Sequence, residues 1–200
     1  MQTDLFEGAS TVAVSQKKEW LEILTDFEHR NRFTIDFDGR DGVLLAVEEG
    51  SGFKRFFMGS MRPYTLLIMT REKKPVLRMH APFRWIHPEI SVMDASGKRI
   101  GSVRKRFTFP HTRYAVVDAH GRKIFDIARG LLKAWTFPVR RDGQDVAVIR
   151  KRWSGVGREM LTDAQHFKLE FPDVIDPTER KILLGALFLI DFKHFEDSGS

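Results

Sequence analysis

The chain has 200 residues, 42% of them hydrophobic, a net charge of +6 at pH 7 and no cysteine. That length suits one domain able to bury roughly 70% of its unfolded surface, and the lack of cysteine excludes disulfides, thiolate metal sites and thiol nucleophiles and fits a reducing compartment. A pI of about 9.7 points towards anionic partners, either phosphate-bearing lipid or nucleic acid.

The opening "MQTDLFEGAS" has neither a basic n-region nor an apolar h-region and does not read as a secretory leader. Next, "SQKKEWLEILTDFEHR" places Trp20, Leu21, Ile23, Leu24 and Phe27 at helical spacing. This predicts an amphipathic N-terminal helix with Ser15 as its cap. Its polar face mixes Glu19, Glu22, Asp26 and Glu28 with lysines, a mixture that anionic lipid does not favour.

The signal then turns to strands. "RFTIDF" alternates Phe33, Ile35 and Phe37, and "DGRDG" turns the chain into "VLLAV". Further runs follow in "KRFFM", "YTLLIMT", "PVLRMH", "EISVMD", "RIGSVRKRF", "RYAVVD", "KIFDIA", "AWTFPVRR", "DVAVIRKRW" and "HFKLEF". Turns such as "ASGK", "AHGR" and "RDGQ" separate many of them. About twelve short strands in hairpins predict a mainly β, closed antiparallel barrel, wider than its own side chains can fill. Residues 1–197 read as a single domain and 198–200 as a tail.

The strands also repeat. "DASGKRIGSVRKRF" (94–107) and "RRDGQDVAVIRKRW" (140–153) align without gaps at an offset of 46. A second echo links "ISVMDASGKRIGSV" with "YAVVDAHGRKIFDI". The expectation is a barrel built from two related halves. Within the repeat, Val103, Lys105 and Phe107 share one strand face and Arg104 and Arg106 the other. Likewise Ile149, Lys151 and Trp153 stand opposite Arg150 and Arg152. With the aliphatic and aromatic members turned inward, Arg104, Arg106, Arg150 and Arg152 form a candidate binding site for lipid headgroups. Arginine offers phosphate a bidentate fork, and each basic residue near an anionic membrane adds about 1 kcal/mol.

The last element is "KILLGALFLIDFKHF". Its unbroken apolar run, Ile182 to Ile190, would cover roughly half of a hydrocarbon core as a helix. "DPTERK" supplies Asp176 as N-cap, Pro177 at the first helical position and Glu179 in the first turn. A helix over 177–195 that is apolar on every side must be enclosed, and the wide barrel is the available sheath. Asp191 then needs a partner or a proton, unless the barrel mouth leaves it solvated.

Several of these segments together resemble the phospholipid scramblase family. They are "KRWSGVGREMLTDAQHFKLEFP" with "LLGALFLIDFKHFE", and upstream "FKRFFMGSMRPYTLLI", "PFRWIHPEISVMDASGKRIGSV" and "RYAVVDAHGRKIF". The likeness covers roughly residues 16–196. It implies a tubby-like (LURP-one-related) fold: a barrel of about twelve strands threaded by a hydrophobic C-terminal helix. It also implies calcium-dependent, ATP-independent movement of phospholipid between leaflets. The family's calcium segment corresponds to Asp163–Val174. Here Asp163 keeps the first ligand position, but Gln165, Phe167 and Val174 replace expected oxygen donors. "PFRWIHPE" lacks the cysteines that eukaryotic members carry for palmitoylation, and their proline-rich extension is absent too. The chain looks like a minimal, prokaryotic-type member, cytoplasmic and peripheral at the membrane, with no required cofactor.

No nucleophile elbow, Walker A motif or dinucleotide fingerprint occurs, and the seven histidines match no catalytic or metal spacing. The expectation is a protein without bond-breaking catalysis. Three functions compete: scramblase-type lipid handling, a headgroup- or ligand-binding module that translocates nothing, and nucleic-acid binding suggested by the two "RKR" triplets.

Overall fold

The computed structural model describes residues 4–16, 32–49, 63–84, 87–107, 112–129, 135–152, 164–171 and 175–197. Twelve strands lie among them: β1 (Thr11–Gln16), β2 (Arg32–Phe37), β3 (Arg40–Glu49), β4 (Tyr64–Thr70), β5 (Pro75–Ala81), β6 (Glu89–Asp94), β7 (Arg99–Phe107), β8 (Thr112–Asp118), β9 (Lys123–Ala128), β10 (Thr136–Arg141), β11 (Gln144–Arg152) and β12 (Ala164–Glu170). Every strand pairs antiparallel with its chain neighbour, and β1 pairs with β12 to close the barrel. One helix, α1 (Pro177–Asp197), runs down the lumen.

The helix begins as its sequence dictates. Thr178 N–H donates to Asp176 Oδ1 at 2.8 Å, and Arg180 N–H to the Asp176 carbonyl at 3.0 Å. From Ile182 to Ile190 every side chain with a Cβ is buried. Core residues of all twelve strands surround it, so the enclosed-helix expectation holds. Glycine sets how closely helix and wall approach. A Cβ on Gly185 would lie 2.7 Å from Val92 Cγ2 on β6, and one on Gly101 of β7 would lie 2.5 Å from Ile182 Cδ1. Elsewhere the lumen is filled by larger side chains: Phe33 and Phe37 on β2, Phe125, Phe137 and Phe167 on β9, β10 and β12. Phe33 meets Phe188 of the helix edge-on at 5.6 Å.

The end holding the helix N-terminus is shut. Short turns join β2–β3, β4–β5, β6–β7, β8–β9 and β10–β11 there. Phe6 is fully buried and meets Phe37 edge-on at 5.0 Å. Buried Arg180 donates from Nη1 to the Phe6 carbonyl at 2.7 Å, and Lys181 pairs with Asp4. Arg141 reaches Glu179 in the first helical turn at 2.5 Å.

The turns carry the repeat. Asp94 Oδ1 accepts from the N–H groups of Ser96 (2.9 Å) and Lys98 (3.0 Å), and Asp118 Oδ1 from those of His120 and Arg122 (both 2.9 Å). Gly97 and Gly121 take φ of 83° and 81° in the two turns. Asp38–Gly39 and Asp142–Gly143 have positive φ at both residues, as two-residue type I′ hairpins require.

Two expectations change. The repeats are not two halves: β7 and β11 stand four places apart in a ring of twelve, and β6–β7 and β8–β9 are adjacent hairpins. The repeating unit is therefore a hairpin. Ser15 is not a helix cap, because it lies buried in β1, where its hydroxyl meets that of Thr34 at 2.9 Å. The amphipathic helix expected after it falls on 17–31, outside the described residues, as does the "KRFFM" strand. The described residues contain a single helix.

A cationic rim at the helix C-terminal end of the barrel

The helix C-terminus points to the other end, where β7, β9 and β11 finish and β8, β10 and β12 begin. Strand alternation fixes what each strand presents there. On β7, Val103 is buried and inward, Arg104 and Arg106 are exposed, and Lys105 falls on the inner face opposite buried Tyr114. On β11, Ile149 is inward, Arg150 exposed, and Lys151 is on the inner face opposite buried Phe167. The middle residue of each Arg-Lys-Arg triplet therefore lies on the inner face at this end.

Lys151 is held among aromatic rings. Its Nζ lies 4.4 Å from the Trp135 ring centroid and 5.8 Å from that of Phe167. Its backbone N–H donates to the Trp135 carbonyl at 2.9 Å, which fixes the indole beside it. Arg129 approaches the same indole at 5.9 Å, and its own N–H reaches the Thr112 carbonyl at 3.4 Å. Such cation–π contacts hold a cation at a partly desolvated place. Burial pulls the Lys151 ammonium below its usual range, and the Asp191 charge opposes that. Burial pushes the Asp191 carboxyl up to about 7, against the pull of Lys151. The helix thus ends its apolar run on a carboxyl that interacts with the charge of Lys151.

β9 and β10 pair only through Val139 opposite Ile127 and Arg140 opposite Asp126. Pro138, which has no N–H to give, stands where pairing stops on the way to Trp135.

The four candidate arginines have different fates. Arg104 donates from Nη2 to Glu89 Oε2 at 3.1 Å, and Arg84 reaches the same oxygen at 3.2 Å, so the one carboxylate of Glu89, with only 7% of its side chain exposed, engages both. Arg150 pairs with Glu170 at 3.1 Å, and Lys168 joins at 3.3 Å. Arg106 stands directly opposite Arg113 of β8, and neither guanidinium has an acidic partner among the described residues. Arg152 lies on β11 opposite His166, its side chain outside the described set. Because β7 and β11 are four places apart, the two triplets occupy separate parts of the rim.

The calcium segment is only partly described. Asp163 lies outside the described residues. From Ala164 the segment is strand β12, with Phe167 buried and Glu170 committed to Arg150 and Lys168. Among the described residues no group of three acidic or histidine side chains could hold a metal.

Lys105, Lys151, Trp135, Arg113 and Arg129 escaped the sequence reading. Alternation had already put both lysines on the inner faces. Arg113 needed the β7–β8 register, and Trp135 with Arg129 needed the β9–β10 seam.

A closed barrel sheathing an apolar helix, with a basic aromatic rim at one end, is the class of protein that fold and site define. The Scramblase family model matches residues 2–197. Phospholipid scramblase 1 of Rattus norvegicus is 29% identical over 205 residues, covering 94% of this chain and 61% of that protein. The Homo sapiens phospholipid scramblase 1 is 28% identical over 203 residues, covering 94% and 64%. The chain thus spans about three fifths of the length of these relatives. An X-ray structure of an Arabidopsis thaliana protein shares the fold with a TM-score of 0.52 at 12% identity, covering 92% of this chain and 93% of that one. The chain belongs to the Scramblase family.

Proposed function

We propose that this protein is a phospholipid-binding barrel that meets the anionic surface of a membrane with the basic end at which the helix finishes. The observation that carries this reading is the gathering of Lys151, Arg129 and Trp135 beside the Arg106–Arg113 pair at one rim. Basic groups draw anionic headgroups, and an indole with one apolar side and one polar edge suits the depth of the interface. Contact is peripheral and on the cytoplasmic side. No helix among the described residues is long and apolar enough to cross a membrane. The outer faces of the strands carry Arg78, Arg104, Arg140 and Arg150, whereas a spanning barrel turns an apolar band outward.

Family membership favours a second reading, in which bound lipid is also moved between leaflets without ATP. The lumen supports binding more readily than passage. It is filled by α1 and phenylalanines, so a headgroup has no polar path through it. We read the protein as non-catalytic and without a required cofactor.

The test combines co-sedimentation with a dye-quench assay. Purified protein should sediment with vesicles containing phosphatidylglycerol and not with pure phosphatidylcholine, and the binding should weaken steeply with salt. In dye-quench liposomes, with or without calcium, no transbilayer movement is expected. Movement would favour the second reading. Binding to duplex DNA without binding to vesicles would overturn both.

A further inference from the structure

We infer that Arg106 and Arg113 form a clamp for a phosphomonoester headgroup, which would make the protein selective for lipids such as phosphatidic acid over phosphodiester lipids. This rests on the lipid-binding reading above and names the headgroup within it.

The pair is unusual among the rim's cations. Arg106 is the penultimate residue of β7 and Arg113 the second of β8, and they are direct cross-strand partners. Directly opposed side chains on one sheet face start about 5 Å apart at Cβ, and like charges there are destabilising. Both are exposed on the outer face near the end where the helix finishes. Several other arginines of the sheet and its loops are answered by acids: Glu89 for Arg104 and Arg84, Glu170 for Arg150, Glu49 for Arg78 and Asp145 for Arg140. Across β7–β8 a second arginine stands where the acid would be, and neither guanidinium has an acidic partner among the described residues. Two adjacent guanidinium groups without an acidic partner among the described residues present two positive charges and two planar forks to whatever anion arrives.

The arithmetic of oxygens then selects the headgroup. A bidentate fork uses two acceptor oxygens. A phosphodiester has two non-bridging oxygens and one negative charge, enough for one fork. A phosphomonoester has three terminal oxygens and close to two charges at neutral pH, the second pKa of such groups being about 6. Two forks can share one of the three oxygens, and the charges balance. Arg104, two residues before Arg106 on the same face, is already held by Glu89 and does not compete for the phosphate. Both side chains are exposed, so a headgroup can reach the pair.

The experiment compares vesicles of phosphatidic acid and of phosphatidylglycerol in phosphatidylcholine, matched for surface charge, with three proteins: the unaltered chain, Arg106→Gln/Arg113→Gln and Arg104→Gln/Arg150→Gln. The unaltered chain should bind phosphatidic acid vesicles about tenfold more tightly. The first variant should lose that margin yet still bind phosphatidylglycerol vesicles through the rest of the rim. The second, which removes the same formal charge from acid-paired positions, should keep it. Without vesicles, the first variant should melt no lower than the unaltered chain, because a repulsion has been removed. Equal binding to both vesicle types by the unaltered chain, or a margin that survives loss of the pair, would overturn the clamp while leaving the lipid reading intact. Protection of the pair by millimolar inorganic phosphate with no vesicle preference would assign it to a free anion and overturn it too. Failure to bind either vesicle would instead reject the lipid reading and the clamp with it.

Discussion

Ile182 of the helix occupies the space that a side chain at position 101 would need. A Cβ on Gly101 would stand 2.5 Å from Ile182 Cδ1 and 2.6 Å from the Val117 carbonyl oxygen. The first contact is the far end of a side chain and can yield; the second is backbone in the neighbouring strand and cannot. Gly101→Ala should therefore destabilise the barrel by about 1–3 kcal/mol, the usual range for overpacking. Adding Ile182→Ala should recover only part of that loss, because the clash with Val117 remains. Chemical denaturation of the two single variants and the double variant would measure the coupling. Full recovery in the double variant would show that the helix alone demands the glycine.

Asp191 should make stability fall as pH rises. Its carboxyl titrates at about 7 in the folded protein, raised by burial from an ordinary value of 3.8. Between those values the folded chain holds a proton that the unfolded chain has lost, so the stabilisation is complete below the lower value and disappears through the higher. Lys151 has the opposite slope: burial lowers its pKa from 10.5, so in that alkaline range the folded chain has shed a proton that the unfolded chain keeps. Asp191→Asn should flatten the melting temperature between about pH 5 and about pH 8, a difference of about 2 kcal/mol after discounting for partial solvent contact. A variant whose melting curves still shift with pH as the unaltered chain's do would place the titration elsewhere.

Calcium should have little to hold. Gln165 replaces an acid, Phe167 is buried in β12, and Glu170 is occupied by Arg150 and Lys168. A ligand that binds only the folded state raises stability by RT ln(1 + [L]/Kd), so even weak specific binding is visible in a thermal melt. Millimolar calcium is expected to leave the melting temperature unchanged. An upward shift abolished by Asp163→Ala would identify a site that this segment completes.

Most of the architecture was legible because it depends on local chemistry. Asp176 and Pro177 announce the helix start, the Asp-Gly pairs announce hairpins, and an all-round apolar run from Ile182 demands enclosure. "TVAVSQ" was missed as a strand because Ser15 also suits a helix cap, although Val12 and Val14 alternate; only its partners β2 and β12 decide the matter. The site was harder for a related reason. A basic triplet reads as surface, yet alternation turns its central lysine inward, where Trp135 of another hairpin meets Lys151. Which arginines are neutralised depends on acids such as Glu89 and Glu170 across a register that no local pattern encodes.

Glu89 engages two cations, and removing its charge should release them for the proposed lipid contact. Its side chain is almost wholly buried and one oxygen serves both Arg84 and Arg104, whose own side chains are about half exposed. Glu89→Gln keeps the shape and one acceptor oxygen but removes the charge. The folded state should lose about 1–2 kcal/mol, the cost of weakening charge-assisted hydrogen bonds at a buried acceptor. Binding should move the other way. Each basic residue near an anionic surface contributes about 1 kcal/mol, so freeing two exposed arginines beside Arg106 should tighten binding to phosphatidylglycerol vesicles by about tenfold or more at low salt. Arg104→Gln in the same assay should change little, because that guanidinium is already engaged by Glu89. Reduced stability with stronger, salt-sensitive vesicle binding would place the β6–β7 edge at the lipid surface. Reduced stability with unchanged binding would turn that edge away from the membrane and leave contact to the Lys151–Trp135 side of the rim.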